Sequence, residues 1–204
     1  MAIVEQEGHD ALTLRAVAKE LGYVPAALYR YFPSKDALVA ALQRRAIASL
    51  GGELAEPVAR AAREPLAALL EIADVYLGFP RKDPRSFALI ATLLGDQESR
   101  KTAPVLMTIL SAVSEVFASA ARRGKLSEGD ALTRTLGFWG ALHGVAALEK
   151  TRGIAPELPT ARAVGLASAA ALLVGFGADR AELERELSAR LTIKERSQKA
   201  VRVA

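Results

Sequence analysis

Cysteine is absent from this 204-residue sequence, asparagine is absent too, and histidine occurs only twice, at His9 and His143. Without cysteine there is no disulfide scaffold, Cys-ligated zinc, iron–sulfur cluster or thiol nucleophile. Two histidines cannot build a multi-histidine metal site within one subunit. Without asparagine there is no N-glycosylation sequon. Long hydrophobic runs are also missing: the longest uncharged stretch, Ala163 to Ala178, is rich in Ala, Gly and Ser. It falls short of the roughly 20 apolar residues that a spanning helix needs. The opening residues carry no basic flank followed by an apolar core, so no signal peptide is expected. These absences predict a cytoplasmic protein with no membrane segment, no metal and no cofactor.

What is present is a composition able to bury a core, 51% hydrophobic and 25% charged. The formal net charge of +4 is a mild basic bias, compatible with nucleic acid. Apolar periodicity is helical nearly throughout, without sustained strand-like alternation, which predicts an all-α chain. Gly and Pro punctuate it into helical blocks at 3–7, 13–21, 25–31, 34 to about 54, 65–79, 85–94, 103–123, 127–151, 160–175 and 179–191, with Pro80 to Pro84 read as a loop. Residues 1–50 hold short helices and tight turns and form one expected module; residues 51–192 hold longer Ala/Leu-rich helices and form a second; residues 193–204 are a basic tail expected to fray.

The strongest local signal is LTLRAVAKELGYVPAALYRYFPSKDALVAAL, Leu12 to Leu42. Thr13 suits a helix N-cap. Leu14, Val17, Ala18 and Leu21 then make one apolar stripe, and Gly22 can take the left-handed conformation that ends a helix. Pro25 follows at a first-turn position, where its missing N–H costs nothing. Two helices joined by so short a turn are a helix-turn-helix. In the second helix Leu28 and Phe32 are spaced to face inward, leaving Pro25, Ala26, Ala27, Tyr29, Arg30 and Tyr31 around an outward face. Small residues there allow close approach to a major groove, Arg30 can reach guanine or phosphate, and tyrosine hydroxyls can bond phosphates. Ser34 is placed to cap the next helix, with Lys35 in its first turn and Arg15 near the start of the preceding helix as phosphate candidates. Two readings of Tyr29 stand together, phosphate contact and packing.

These residues resemble the DNA-binding domain of the TetR (tetracycline-repressor-like) family of bacterial transcription regulators. The shared pattern is an LT-x-R-x-[IV]-A helix, a Gly turn, then L-Y-x-[HY]-F-x-[SN]-K. Here it reads Leu12-Thr13-Leu14-Arg15-Ala16-Val17-Ala18, Gly22, and Leu28-Tyr29-Arg30-Tyr31-Phe32-Pro33-Ser34-Lys35. Three departures stand out. Only seven residues precede Gly8, Val24 replaces a Ser or Thr cap, and no Asn or Gln lies between Thr13 and Lys35. The last removes the bidentate adenine contact, so guanine contacts through Arg15 or Arg30 and methyl contacts from Pro25 and Ala26 are expected.

The resemblance implies an N-terminal three-helix DNA-binding domain and a C-terminal helical bundle for ligand binding and dimerisation. Leu136-Gly137-Phe138-Trp139-Gly140-Ala141-Leu142-His143-Gly144-Val145 is similar to the W-x-x-x-H-G signature of one C-terminal subclass. Trp139 and His143, four apart, share a helix face. His143 is read either as a polar anchor in an apolar pocket or as a core histidine bonded to a carbonyl or carboxylate. Tyr76, Phe79, Phe87, Leu106, Ile109, Leu110 and Phe117 are further pocket candidates, Ile90 with them, and the expected effector is a small hydrophobic or aromatic molecule. The blocks 127–151 and 160–175 carry more apolar surface than one short bundle hides, which predicts a homodimer through a four-helix interface. The expected activity is repression of transcription from a pseudo-palindromic double-stranded DNA operator, relieved by the effector. No Gly-x-Ser-x-Gly elbow or phosphate-binding loop suggests an enzyme. A helical adaptor acting through protein partners is the alternative from another class.

Overall fold

The computed structural model describes residues 13–92, 100–149, 155, 157–188 and 190; among these every regular element is helical and there is no strand. The expected helix at 3–7 and the basic tail lie outside the described residues. Contacts divide the chain into two compact units, one of Met1–Ser49 with Asp83–Leu106, the other of Leu50–Lys82 with Met107–Ala204. Residues 83–106 thus group with the amino-terminal module, a pairing that composition did not suggest.

In the first unit, α1 (Leu14–Glu20) opens on Thr13, whose hydroxyl accepts from Ala16 N–H at 3.1 Å. It closes on Gly22 at φ +71°, with Tyr23 N–H donating to Ala18 C=O and Gly22 N–H to Lys19 C=O. That pair of bonds satisfies carbonyls the helix end would otherwise orphan. The short α2 (Pro25–Tyr31) packs on α1, and Ser34 Oγ accepts from Ala37 N–H at the start of α3 (Lys35–Arg60). Further along the chain, α4 (Pro65–Lys82) belongs to the second unit, and α5 (Pro84–Ala91) returns to the first. α5 is capped by Asp83, which accepts from Ser86 N–H at 3.0 Å. Buried Gln43 of α3 donates to Thr92 Oγ1 at 3.2 Å, tying α3 to the end of α5.

The second unit is built on α4, the later part of α6 (Ala103–Arg122), α7 (Ala131–Ala147) and α8 (Ala161–Gly175), and residues 180–188 are helical as well. α4, α7 and α8 pack against one another. α6 is long and apolar enough, by length and composition, to cross a membrane; its Leu110, Val113, Val116, Phe117 and Ala120 are buried in the protein. Gly165 lets α8 close on α4, since a Cβ there would stand 2.5 Å from the Leu77 methyls. The Arg162 guanidinium grips Asp74 through Nε at 2.5 Å and a second nitrogen at 3.1 Å across the same pair.

Three expected boundaries are corrected. The helix begun at Ser34 does not stop near Leu54 but continues through Pro57 to Arg60. Packing outweighs propensity there, because Pro57 is itself buried, with Leu54 buried on one side of it and Ala61 on the other. Pro80 does not open a loop: it sits in the last turn of α4, where only one backbone bond is forfeited. The helix expected from Ser127 starts at Ala131, after Asp130 accepts from Thr133 N–H at 2.7 Å. Arg134 uses the freed segment, donating to Ser127 C=O, Ser127 Oγ and Glu128 C=O, with its guanidinium 5.2 Å from the Phe176 ring centroid.

Candidate functional site

In the first unit the outward side of the helix-turn-helix carries most of the residues expected there. Arg15, Pro25, Ala26, Tyr29, Arg30 and Tyr31 are exposed, while Ala27 and Lys35 are half-buried. No residue of α2 is fully buried. Thr13 is exposed and its oxygen serves as a cap, so its hydroxyl proton is what it can offer a phosphate. The Arg30 guanidinium lies 5.7 Å from the centroid of the Tyr31 ring, which steadies both side chains on the surface.

Three neighbours depart from expectation: Leu21, expected on the apolar stripe with Leu14, Val17 and Ala18, is exposed, and so are Tyr23 and Val24. Leu21, Tyr23 and Val24 are 59%, 62% and 68% exposed, more than Tyr29 at 47%. Leu21 is the C-cap of α1 and the other two follow it, so the helical period no longer fixes which of these side chains turns inward. Val24 also leads into α2 without a side-chain cap. Charge follows the same division of the chain. The first unit holds Arg15, Lys19, Arg30, Lys35, Arg44, Arg45, Arg85, Arg100 and Lys101 against Glu20, Asp36 and Asp83 among its described residues. A basic module displaying apolar, tyrosyl and guanidinium groups matches the chemistry of duplex DNA, whose phosphates attract cations and whose major groove offers both acceptors and methyl groups.

In the second unit Tyr76, Trp139 and His143 come together. Trp139 Nε1 donates to Tyr76 Oη at 3.0 Å, and Tyr76 Oη lies 2.7 Å from His143 Nδ1. The imidazole centroid stands 6.4 Å from the Tyr76 ring and 5.9 Å from the Trp139 ring. Tyr76 is buried; burial pushes its phenol well above the ordinary value, and the Trp139 hydrogen bond offsets part of that rise. Burial likewise holds His143 below the usual imidazole value. With the imidazole neutral and its proton on Nε2, the three groups form one directed chain, Trp139 N–H to Tyr76 oxygen and Tyr76 O–H to His143 Nδ1. Through Nδ1, His143 is thus bonded to the Tyr76 phenol.

The other expected pocket residues have different places. Phe79, Leu110 and Phe117 are core residues of the second unit, Phe117 making edge contacts with Phe138 and Phe176 at 5.5 and 6.0 Å. Ile109 packs over Gly51. Phe87, Ile90 and Leu106 belong to the first unit. A cavity of about 260 Å³ lies in the second unit between α3 and α6, lined by Val58, Ala61, Ala62, Ala112, Glu115, Val116 and Ser119. None of these was expected from the sequence, because alanine on a helix reads equally well as packing or as surface.

α7 exposes Leu132, Leu136, Gly140 and Gly144 at four-residue spacing, and α8 exposes Ala163, Val164, Ala167 and Ala171. The one charged residue of α7, Arg134, is buried, and Arg162 of α8 is turned onto Asp74. Both strips are thus apolar and uncharged.

Comparison with known proteins agrees with this geometry. A family model described as bacterial regulatory proteins, tetR family, matches residues 1–42, and one described as tetracyclin repressor-like, C-terminal domain, matches residues 69–173. An uncharacterized HTH-type transcriptional regulator of Mycobacterium tuberculosis is 29% identical over 161 residues, covering 78% of this chain and 70% of that one. Among solved structures, the TetR family transcriptional regulator PfmR from Thermus thermophilus superposes with a TM-score of 0.66 at 17% identity, over 84% of this chain and 93% of that one. The fatty acid degradation regulator FadR from Bacillus halodurans does so with a TM-score of 0.69 at 16% identity, over 87% and 92%. At these identities the two structures speak for the fold.

Proposed function

The chain belongs to the tetR family of bacterial regulatory proteins and is a DNA-binding transcription regulator; from that premise we propose that it is a homodimeric repressor. Residues 1–50 bind one half of a pseudo-palindromic operator, with Thr13, Arg15, Pro25, Ala26, Ala27, Tyr29, Arg30, Tyr31 and Lys35 toward the DNA. Residues 51–192 dimerise and hold a small hydrophobic or aromatic effector. The observation that carries this reading is the outward side of α2, where Tyr29, Arg30 and Tyr31 stand exposed on a module rich in cations. Core packing has no use for that side, and solvent alone gives no reason to concentrate aromatic groups there.

Dimerisation is supported by the uncharged strips of α7 and α8. Pairing them about a two-fold axis buries Leu132 and Leu136, lets the glycines bring backbones close, and supplies two recognition helices for the two half-sites of a pseudo-palindrome. Effector binding is supported by the chain of Trp139, Tyr76 and His143, a polar anchor among apolar helices, and the pairing of Trp139 with His143 favours the W-x-x-x-H-G subclass. Coupling runs through α3, which begins beside the DNA-facing helix and ends at Arg60, ion-paired with Glu71. The effector must bind the DNA-incompetent state more tightly, since equal affinity shifts nothing. A regulator of this kind works where the chromosome is, in the cytoplasm. The test is a gel shift with duplex DNA from upstream of the chain's own gene across a salt series. Salt-sensitive retention is expected; no retention at low salt overturns the reading.

A further inference from the structure

We propose that Val24, with Pro25 beside it, reads thymine through its C5-methyl group, making this apolar edge a specificity determinant of the operator half-site. The inference rests on the DNA-binding reading above and deepens it. From Gly22 to Leu28 the only side-chain group able to hydrogen-bond is the Tyr23 hydroxyl. Val24 is 68% exposed, accepts no cap bond, and adjoins exposed Pro25 and Ala26. These side chains can discriminate bases only by apolar contact. The thymine methyl is the one apolar feature the major groove presents, whereas guanine, adenine and cytosine edges offer donors and acceptors that Val24 and Pro25 cannot use.

The occupant is duplex DNA, and charge identifies it. Exposed Arg15, Lys19, Arg30 and Arg45 lie in the same compact unit as the apolar edge. Cations beside an apolar edge oppose burial against another basic protein surface and favour a polyanion. Specificity is then divided: Arg30 serves guanine or phosphate, and the Val24–Pro25 edge serves thymine. A side chain of valine size has a reason to be there, because alanine would leave the methyl partly in water.

The full chain is used to select from a randomised duplex pool of about 30 base pairs, long enough for two half-sites one helical turn apart. Each thymine in the recovered half-sites is then replaced by deoxyuridine, which deletes only the methyl. One thymine position is expected to weaken binding about fourfold on replacement, the worth of one buried methyl group. Val24→Ala should bind the thymine duplex about as weakly as the native chain binds the deoxyuridine duplex, and should no longer distinguish the two. Val24 is exposed and caps nothing, so this variant should melt with the native protein. Equal binding of thymine and deoxyuridine duplexes by the native chain overturns the proposal while leaving DNA binding intact. So does full discrimination retained by Val24→Ala. If no duplex is recovered, the DNA-binding reading fails and the surface serves a protein partner instead.

Discussion

Tyr76 and His143 lie 67 positions apart in the chain and meet through a hydrogen bond of 2.7 Å between the phenol oxygen and Nδ1. The contact joins α4 to α7 and depends on a third group, because Trp139 donates to the same oxygen. Tyr76→Phe removes the shared atom and leaves both ring partners short of a bond. The expected loss of stability is about 1–2 kcal/mol, the cost of stranding partly buried polar groups. Denaturant unfolding measures it, and an unchanged midpoint would show that water replaces the phenol freely.

Burial of His143 makes stability depend on pH. His143 has its imidazole value lowered by burial, so the folded state resists a proton that the unfolded chain accepts readily. The contribution is fully present above the ordinary histidine value, about 6.5, and is lost as pH falls through the lowered folded value. Melting temperature should therefore decline on acidification through this window. In a His9→Gln background only one imidazole titrates, and adding His143→Gln should flatten the slope. The protein has a single tryptophan, Trp139, whose emission should change with the same midpoint.

Two glycines on helices should respond in opposite directions to alanine. Nothing lies within 4 Å of a Cβ at Gly52, so Gly52→Ala should stabilise by about 0.5–1 kcal/mol through backbone entropy. At Gly165 the added methyl meets the buried Leu77 side chain, which has nowhere to go, and Gly165→Ala should cost about 1 kcal/mol or more. Paired melting curves test both. A gain at Gly165 would mean that α4 and α8 separate without penalty.

The helix-turn-helix could be read in advance because its signals are local. Thr13 caps three residues on, Gly22 supplies a positive φ, and Pro25 and Ser34 mark the next two starts, none needing a distant partner. The same kind of reading failed at Pro57 and Pro80, where burial of Leu54, Ala61 and Phe79 holds helices through residues that end them in isolation. The four-residue spacing puts Trp139 and His143 on one helix face, but that both meet the Tyr76 oxygen is a fact of tertiary packing. The cavity walls, chiefly alanine and valine, carry no local signal at all.

The proposed dimer can be broken on a residue the protomer does not need. Leu136 is exposed on the uncharged strip of α7, so Leu136→Glu should leave the fold intact. Across a two-fold interface it would bring like charges into an apolar seam, which is strongly unfavourable without a partner cation. Sedimentation equilibrium should show a dimer for the native chain and a monomer for the variant, with operator affinity falling in parallel. A native chain that sediments as a monomer at micromolar concentration would remove the two-half-site arrangement.

Arg30 and Lys35 should fail differently when each is replaced by alanine, although both carry one positive charge. Arg30 is exposed on the outer side of α2 and steadied against the Tyr31 ring, so it is placed to make a directional contact with guanine or with a defined phosphate. Lys35 begins α3 beside the Ser34 cap, where an ammonium acts on the backbone of the duplex whatever its sequence. Lys35→Ala should therefore weaken all duplexes alike and reduce the slope of log affinity against log salt by about one phosphate contact. Arg30→Ala should cost about 1–3 kcal/mol on the preferred site and less on others, lowering the ratio between them. Affinities for selected and scrambled duplexes across a salt series separate the two patterns. Identical behaviour of the two variants would mean that α2 contributes only charge and that base selection lies elsewhere in the first unit.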